Sequence, residues 1–186
     1  MKNFTRLLES CRTIHSFEPA SVTDSQLLDA LENSLKAPNH KCTFPWKYIL
    51  VKGKKKNALA DLAVELKSKG KKLSAEKENG VRKKILDPGL VVFCQKILED
   101  ESRRKEDYAT MSCSVQLFAL TLAEEGIGYK WSTGKITRDP KTYELLNLDP
   151  SEYEIVGFVL AGRAAGESRP RTRPRLSDVL TREDEL

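Results

Sequence analysis

The chain has 186 residues, of which 39% are hydrophobic and 32% charged, and its formal net charge is +5. This length predicts one domain, residues 1–186, with an ordinary hydrophobic core. No stretch has the apolar length of a membrane span, and the N-terminus lacks a signal-peptide core. The four cysteines form neither a CxxC pair nor a zinc spacing. This pattern favours free thiols in a cytoplasmic protein, without a membrane partner or a metal site.

Basic residues are concentrated between Lys52 and Lys84. A basic stretch of this kind is one feature of nucleic-acid binding. However, no aromatic residue lies between Lys52 and Leu90 to stack on bases, and acidic residues are interspersed. The pattern therefore predicts solvated helix surfaces and no nucleic-acid partner. A basic mouth that attracts an anionic substrate is the second interpretation.

The first third of the chain predicts two helices and a strand. Apolar residues recur at helical spacing over residues 4–9. Thr23-Asp24-Ser25-Gln26 has the form of a capping box, and the helix that it begins is expected to end at Lys36. The β-branched and aromatic run at residues 48–51 predicts a strand.

The middle of the chain predicts charged helices, a buried strand and a long buried helix. Two charged helices follow the first strand, and we expect breaks near Gly70 and again at Gly80. Residues 90–94 are apolar throughout, which is typical of a strand buried on both faces. Residues 107–125 carry apolar side chains around most of a helix.

Two Asp-Pro pairs and a second apolar strand complete the predicted elements. Asp139-Pro140 and Asp149-Pro150 each resemble an N-cap with proline at the first helical position. Residues 154–162 read as another core strand. These elements together predict an α+β fold.

A polar loop between the second helix and the first strand is the first candidate site. Its sequence, A-P-N-H-K-C-T-F-P-W, runs from Ala37 to Trp46. Pro38 ends the preceding helix, and Asn39 and His40 then lie on irregular backbone. Loops held between rigid elements commonly carry binding groups. A surface connection with an incidental histidine is the alternative.

Four stretches of the chain resemble motifs of the FMN-dependent nitroreductase family, in the same order. They are C-R-T-I-H-S-F-E-P from Cys11, the Ala37–Trp46 loop, I-G-Y-K-W-S-T-G from Ile127, and R-P-R-T-R-P from Arg169. The resemblance is closest to short members named NAD(P)H nitroreductases. It implies a homodimer, with a mixed sheet flanked by helices in a three-layer α/β/α sandwich.

The resemblance also assigns residues to an FMN site. Arg12 and Thr13 match family positions at the flavin phosphate and ribityl chain. Cys11 replaces an arginine of that motif, and His15 replaces a basic residue that faces the pyrimidine side of the ring. The loop would reach the flavin of the partner subunit with Lys36, Pro38, Asn39 and His40.

Two further groups complete the site that the resemblance implies. The family places a segment beside the ring and ribityl chain, here Trp131, Ser132, Thr133 and Gly134. Backbone N–H groups on such a loop can bond the ring. Arg171 and Arg173 match basic residues that clamp the phosphate, for which the planar arginine fork is suited. A packed tryptophan and a solvated basic tail are the alternatives.

The function implied is an FMN-dependent oxidoreductase. It would transfer hydride from NADH or NADPH through flavin N5 to a nitroaromatic, a quinone or an activated alkene. No nucleophile or catalytic dyad is evident in the sequence, which fits cofactor-borne chemistry. Because Cys11 and His15 depart from the family pattern, a weak or non-catalytic flavin-binding dimer is the second hypothesis. A basic nucleic-acid binder is the third.

Overall fold

The computed structural model describes residues 2–166 and 172–183 of the chain. Its main helices and strands, in chain order, are α1 (Lys2–Ser10), α2 (Asp24–Ser34), β1 (Trp46–Val51), α3 (Gly53–Ser68), α4 (Ala75–Leu86), β2 (Gly89–Lys96), α5 (Glu101–Glu124), β3 (Gly128–Ser132), α6 (Pro140–Leu146) and β4 (Tyr153–Gly162). Short 3-10 turns lie at His40–Cys42, Lys135–Arg138 and Leu176–Asp178.

The four strands form one sheet in the order β1-β2-β4-β3. The three neighbouring pairs are antiparallel. The α+β class is therefore confirmed, but the expected mixed sheet is wrong. Among the described residues, the parallel pairing is a single bridge between Thr13 and Tyr129. The apolar run in β2 did not distinguish the two cases, because helices cover both faces of this antiparallel sheet.

Helices on both faces give the sheet two separate cores. On one face, Leu59 of α3 and Ile85 of α4 pack with alternate residues of β2, among them Leu90. On the other face, Leu27 of α2 and Phe118 of α5 pack with the intervening strand residues. This arrangement confirms the three-layer sandwich.

Local capping signals in the sequence were read correctly at two helices. Gln26 N donates to Thr23 Oγ1 at 3.3 Å, and Thr23 N donates to Gln26 Oε1 at 2.9 Å, which completes the capping box of α2. At α6, Lys141 N donates to Asp139 Oδ1 at 3.0 Å, and Pro140 is the first helical residue.

Two local predictions were wrong. Gly80 lies inside α4 and does not break it. A glycine costs only about 1 kcal/mol in a helix interior, so the rest of α4 overrides it. Asp149-Pro150 starts no helix; Asp149 Oδ1 instead accepts bonds from Ser151 N at 2.8 Å and Ser151 Oγ at 2.6 Å, which closes a turn.

Helix α5 begins six residues earlier than the apolar pattern indicated. Asp100 caps it, because Arg103 N donates to Asp100 Oδ1 at 3.2 Å. The helix packs on one face of the sheet through Met111, Val115 and Phe118. Within the described ranges, neither α5 nor another helix is long and apolar enough to cross a membrane.

Candidate functional site

Strand β3 is the edge of the sheet on which the first and third candidate motifs meet. Thr13 bridges to Tyr129, and Ile14 N donates to Tyr129 O at 2.8 Å. Gly128 allows this close approach, because a Cβ there would lie 2.3 Å from Ile14 Cγ1. The Cys11–His15 segment therefore lies against β3, with Thr13 and His15 exposed.

Cys11 and Arg173 both interact electrostatically with Tyr129, near the start of β3. Burial raises the pKa of the Tyr129 phenol; the thiolate of Cys11, once this thiol ionises at high pH, adds to the rise, and the charge of Arg173 opposes it. The first motif and the C-terminal tail thus converge on one side chain. Sequence reasoning missed Tyr129, although it lies inside the third motif. Arg171 lies outside the described residues, so its role stays a prediction.

The side chains beside Tyr129 are held by α1 and α5. Burial raises the pKa of the Cys11 thiol, while the charge of Arg12 and a hydrogen bond with Gln116 of α5 oppose the rise. Arg12 Nη1 donates to Cys11 O at 3.0 Å and to Leu8 O at 3.3 Å. The end of α1 therefore orients the guanidinium while its other N–H groups remain donors.

The segment at the other end of β3 is anchored to the core. Trp131 Nε1 donates to Val156 O at 3.3 Å, so this indole packs inward and offers a ligand its backbone rather than its ring. Thr137 is buried, and its hydroxyl and its N–H both bond Gly134 O, at 2.9 Å and 3.0 Å. These bonds fix the turn that Ser132 and Thr133 enter.

The two ends of β3 are far enough apart to contact the two ends of one extended ligand. Thr133 follows Tyr129 by four residue steps, which is about 13 Å along a strand. A molecule with a phosphate at one end and a flat ring at the other can extend over such a span. The arrangement places cationic and hydroxyl groups at the first end and backbone N–H groups at the second.

A cavity of about 910 Å³ lies at the Thr133 end. Thr133, Arg138 and Tyr143 line it, together with Tyr108 of α5, whose side chain is partly exposed. Its mixed polar and apolar walls and its size are typical of a small-molecule site.

Lys130 of β3 is a second residue that the sequence reasoning missed. Burial lowers the pKa of its ammonium group, and the positive charge of Lys84 in α4 lowers it further. The two cations are thus close enough to interact electrostatically. Such a pair favours an anionic group on a ligand.

The loop between α2 and β1 is held in an unusual conformation. Lys41, Cys42 and Phe44 have φ of 60°, 51° and 48°, in the left-handed region that costs roughly 1–2 kcal/mol for each non-glycine residue. Phe44 N donates to Asn39 Oδ1 at 2.9 Å, which closes the loop. Strained backbone of this kind is concentrated at functional sites.

The other candidate residues of this loop are at its surface. His40 Nδ1 lies 3.4 Å from Glu106 Oε1 of α5, and both side chains are largely exposed. Lys36 Nζ donates to Asn33 Oδ1 at 2.5 Å, at the end of α2. Pro38 O accepts a bond from Thr110 Oγ1 at 2.9 Å.

The structure does not bring this loop and β3 of one chain together. The loop leads into β1, and β1 and β3 are the two opposite edges of the sheet. Three strand spacings separate them, or about 14 Å. Of the sequence-predicted residues, one chain therefore unites Cys11, Arg12, Thr13 and Arg173, and places the loop elsewhere.

Comparison with known proteins agrees with this α+β sandwich. The chain matches the family model for the nitroreductase family over residues 8–163, and it therefore belongs to that family. It is 30% identical over 149 residues to YfhC of Bacillus subtilis strain 168, named as an NAD(P)H nitroreductase; the match covers 78% of this chain and 77% of YfhC. The family predicted from the four motifs is confirmed.

Solved structures show the same fold. A nitroreductase-like family protein from Bacillus cereus superposes with a TM-score of 0.84 at 22% identity, over 97% of this chain and 96% of that one. The nitroreductase NfnB from Sphigopyxis sp. strain HMH, described as FMN- and NADPH-dependent, superposes with a TM-score of 0.80 at 14% identity. That match covers 97% of this chain and 99% of NfnB.

Proposed function

We propose that this chain is an FMN-dependent oxidoreductase that takes hydride from NADH or NADPH and reduces a small-molecule acceptor. The acceptor class we propose is a nitroaromatic, a quinone or an activated alkene, and the working form a cytoplasmic homodimer. The observation that carries the proposal is the convergence of Cys11, Thr13 and Arg173 on Tyr129 at one end of β3. The dependence of NfnB on FMN and NADPH supports it.

The groups at the start of β3 suit a phosphate. Arg173 and Arg12 carry fixed positive charges with several N–H donors, and the Thr13 hydroxyl is exposed beside them. The phenol of Tyr129 is a further hydrogen-bond donor at neutral pH. Charge-assisted bonds of this kind would hold the phosphate of FMN.

The groups at the end of β3 suit the ring. When bound, FMN supplies an N5 atom that accepts and donates hydride. The anchored Ser132–Gly134 turn would present backbone N–H groups to the ring edge. The cavity beside Thr133 leaves room for a second substrate.

A weak or non-catalytic flavin-binding dimer is the second candidate, and Cys11 favours it. A thiol is a weak donor, and burial keeps this one neutral, so one charged phosphate contact of the family motif is missing. The remaining cations then determine whether FMN stays bound during turnover.

The colour and turnover of the purified protein decide between these functions. We expect a yellow protein that releases FMN on denaturation and that oxidises NADH or NADPH faster when a nitroaromatic or quinone is present. Initial-rate lines for the two substrates should be parallel, because both use the same ring in succession. A protein that binds FMN without oxidising either nicotinamide would support the second candidate, and a colourless protein with no FMN binding would refute both.

A further inference from the structure

A buried polar network ties the loop between α2 and β1 to helix α5. Thr110 Oγ1 donates to Pro38 O at 2.9 Å, and Asn39 Nδ2 donates to Thr110 Oγ1 at 3.4 Å. Asn39 Nδ2 also donates to Thr43 Oγ1 at 2.9 Å, and Thr43 Oγ1 in turn donates to Asp107 Oδ1. The loop is thus connected to two positions of α5 that lie almost one turn apart.

Asp107 and Thr110 are buried although they are polar. Asp107 is 1% exposed and Thr110 is 4% exposed. No described residue bonds Asp107 Oδ2, so this carboxylate keeps one oxygen unsatisfied in the interior. A buried carboxylate with so few bonds is costly compared with an apolar residue. The hydrogen bond that Asp107 does accept comes from Thr43 of the loop. This indicates that the carboxylate serves to hold the loop.

The loop needs such a restraint because its backbone is strained. Lys41, Cys42 and Phe44 have positive φ without being glycines. Backbone in this region persists only when its surroundings hold it. The bonds to Asp107 and Thr110 are the buried side-chain contacts that do so within the described part of the chain, and the His40–Glu106 pair adds an exposed one.

We propose that Asp107 and Thr110 are positioning residues, which hold the loop through Asn39 and Thr43 so that the exposed His40 reaches a flavin bound by a second copy of the chain. The inference rests on the proposed function for its flavin part. Neither residue needs to touch the flavin. Losing their bonds would release the loop while α5 stays folded.

Proteolysis of the loop tests the restraint without reference to flavin. Trypsin cleavage after Lys41 should be about fivefold faster in Thr110→Val, because the change removes hydrogen bonds of ordinary strength and raises the open population in proportion. Thr121→Val is the matched control, since Thr121 Oγ1 donates to Leu117 O within α5. In full-length protein as purified, cleavage after Lys69, between α3 and α4, serves as the internal reference.

Two substitutions at Asp107 separate the loss of the hydrogen bond from the loss of the carboxylate. Asp107→Ala removes the acceptor of Thr43, and cleavage after Lys41 should rise about tenfold. Asp107→Asn keeps an oxygen for that bond, so it should behave like the parent. Equal cleavage after Lys41 in parent, Asp107→Ala and Thr110→Val would overturn the restraint.

Flavin titration tests the positioning itself. Thr110→Val should raise the Kd for FMN about fivefold and lower kcat, whereas Thr121→Val should change neither. Faster cleavage with unchanged Kd and kcat would overturn the positioning role and leave the proposed function intact. A parent that binds no FMN would refute the proposed function and the flavin part of this inference, while the cleavage rates would still decide whether the loop is restrained.

Discussion

At the scale of single residues, Cys11 shows how the surroundings of a substitution determine its effect. It stands where the family motif carries an arginine, half-buried beside Arg12 and Gln116. Burial is the main cause of its raised pKa, so the thiol is neutral at neutral pH. A neutral thiol neither attracts nor repels a phosphate. Arg12 and Arg173 must therefore supply the charge at this end of β3.

Restoring the arginine should strengthen flavin binding. A hydrogen bond to a charged group contributes roughly 1.5–3 kcal/mol, so Cys11→Arg should lower the Kd for FMN about tenfold to a hundredfold. A cavity of about 130 Å³ lined by Cys11 and Tyr129 gives the longer side chain part of its room. Quenching of flavin fluorescence on titration with protein measures the change.

Removing the other cation should have the opposite effect. Arg173→Ala should weaken FMN binding by a similar factor, because Arg173 acts on the same phenol. Arg182→Ala, an exposed arginine of the same tail, is the control and should bind like the parent. If Cys11→Arg binds no tighter and Arg173→Ala no weaker, the phosphate does not lie at this end of β3.

The raised pKa of Cys11 predicts a specific pH dependence. The thiolate is the reactive form, so the rate of alkylation of Cys11 should still be rising beyond the ordinary thiol pKa of 9.0. Because the folded chain keeps this proton longer than the unfolded chain, the free energy of unfolding should fall as the pH rises above 9.0. Cys11→Ser should lack that part of the fall. An alkylation rate that levels off below pH 9.0 would contradict the burial of Cys11.

At the scale of elements, the sequence predicted what depends on neighbours in the chain. The capping box of α2 and the Asp139-Pro140 start of α6 are local, and both were read correctly. The mixed sheet was wrong because strand direction depends on connections that no local pattern records. The meeting of Cys11, Tyr129 and Arg173 is likewise tertiary, so the motifs indicated the residues of a site without their geometry.

Gly157 of β4 connects the packing of the sheet with the candidate site. A Cβ there would lie 2.2 Å from Trp131 Nε1 and 3.1 Å from Ser132 O. Only glycine lets the indole lie across β4 and donate to Val156 O. The position of the Ser132–Gly134 turn therefore depends on the absence of a Cβ atom at Gly157 of β4.

A pair of glycine substitutions tests this dependence. Gly157→Ala should lower the free energy of unfolding by about 1–3 kcal/mol, because Trp131 must move, and it should weaken FMN binding as the turn shifts. Gly80→Ala is the control: nothing lies within 4 Å of its Cβ, and alanine in α4 should stabilise by about 0.5–1 kcal/mol. Denaturant unfolding of both variants measures the difference. A Gly157→Ala protein as stable as the parent would show that the core accommodates the methyl group.

At the scale of the whole molecule, one chain alone leaves apolar side chains uncovered near the candidate residues. Among the described residues, Phe44 of the loop is 66% exposed, and Leu28 and Leu35 at α2 are also exposed. Phe4 and Leu8 on α1 are exposed as well. Apolar side chains in such number commonly mark an interface, and a second copy is the partner that the family resemblance implies.

We therefore predict that each flavin site is shared between two chains. Each site would then combine the phosphate-binding residues at β3 of one chain with the loop of the other. Two chains that carry different substitutions can therefore form one intact site when they dimerise. Arg173→Ala damages the first part and Asn39→Ala the second. At an FMN concentration well below the Kd of either variant, each homodimer should have little activity, whereas a mixed dimer contains one undamaged site and one doubly damaged site.

The measurement uses co-expression of the two variants with different affinity tags. Because about half of the dimers are mixed and half of their sites are intact, NAD(P)H oxidation should recover to about one quarter of the parent rate. Mixed dimers isolated through both tags should reach about one half. Two copies of the same variant under the two tags are the control and should stay inactive. Mixed dimers as inactive as that control would mean that each chain uses its own loop, and a stable monomer that binds FMN fully would contradict the shared site altogether.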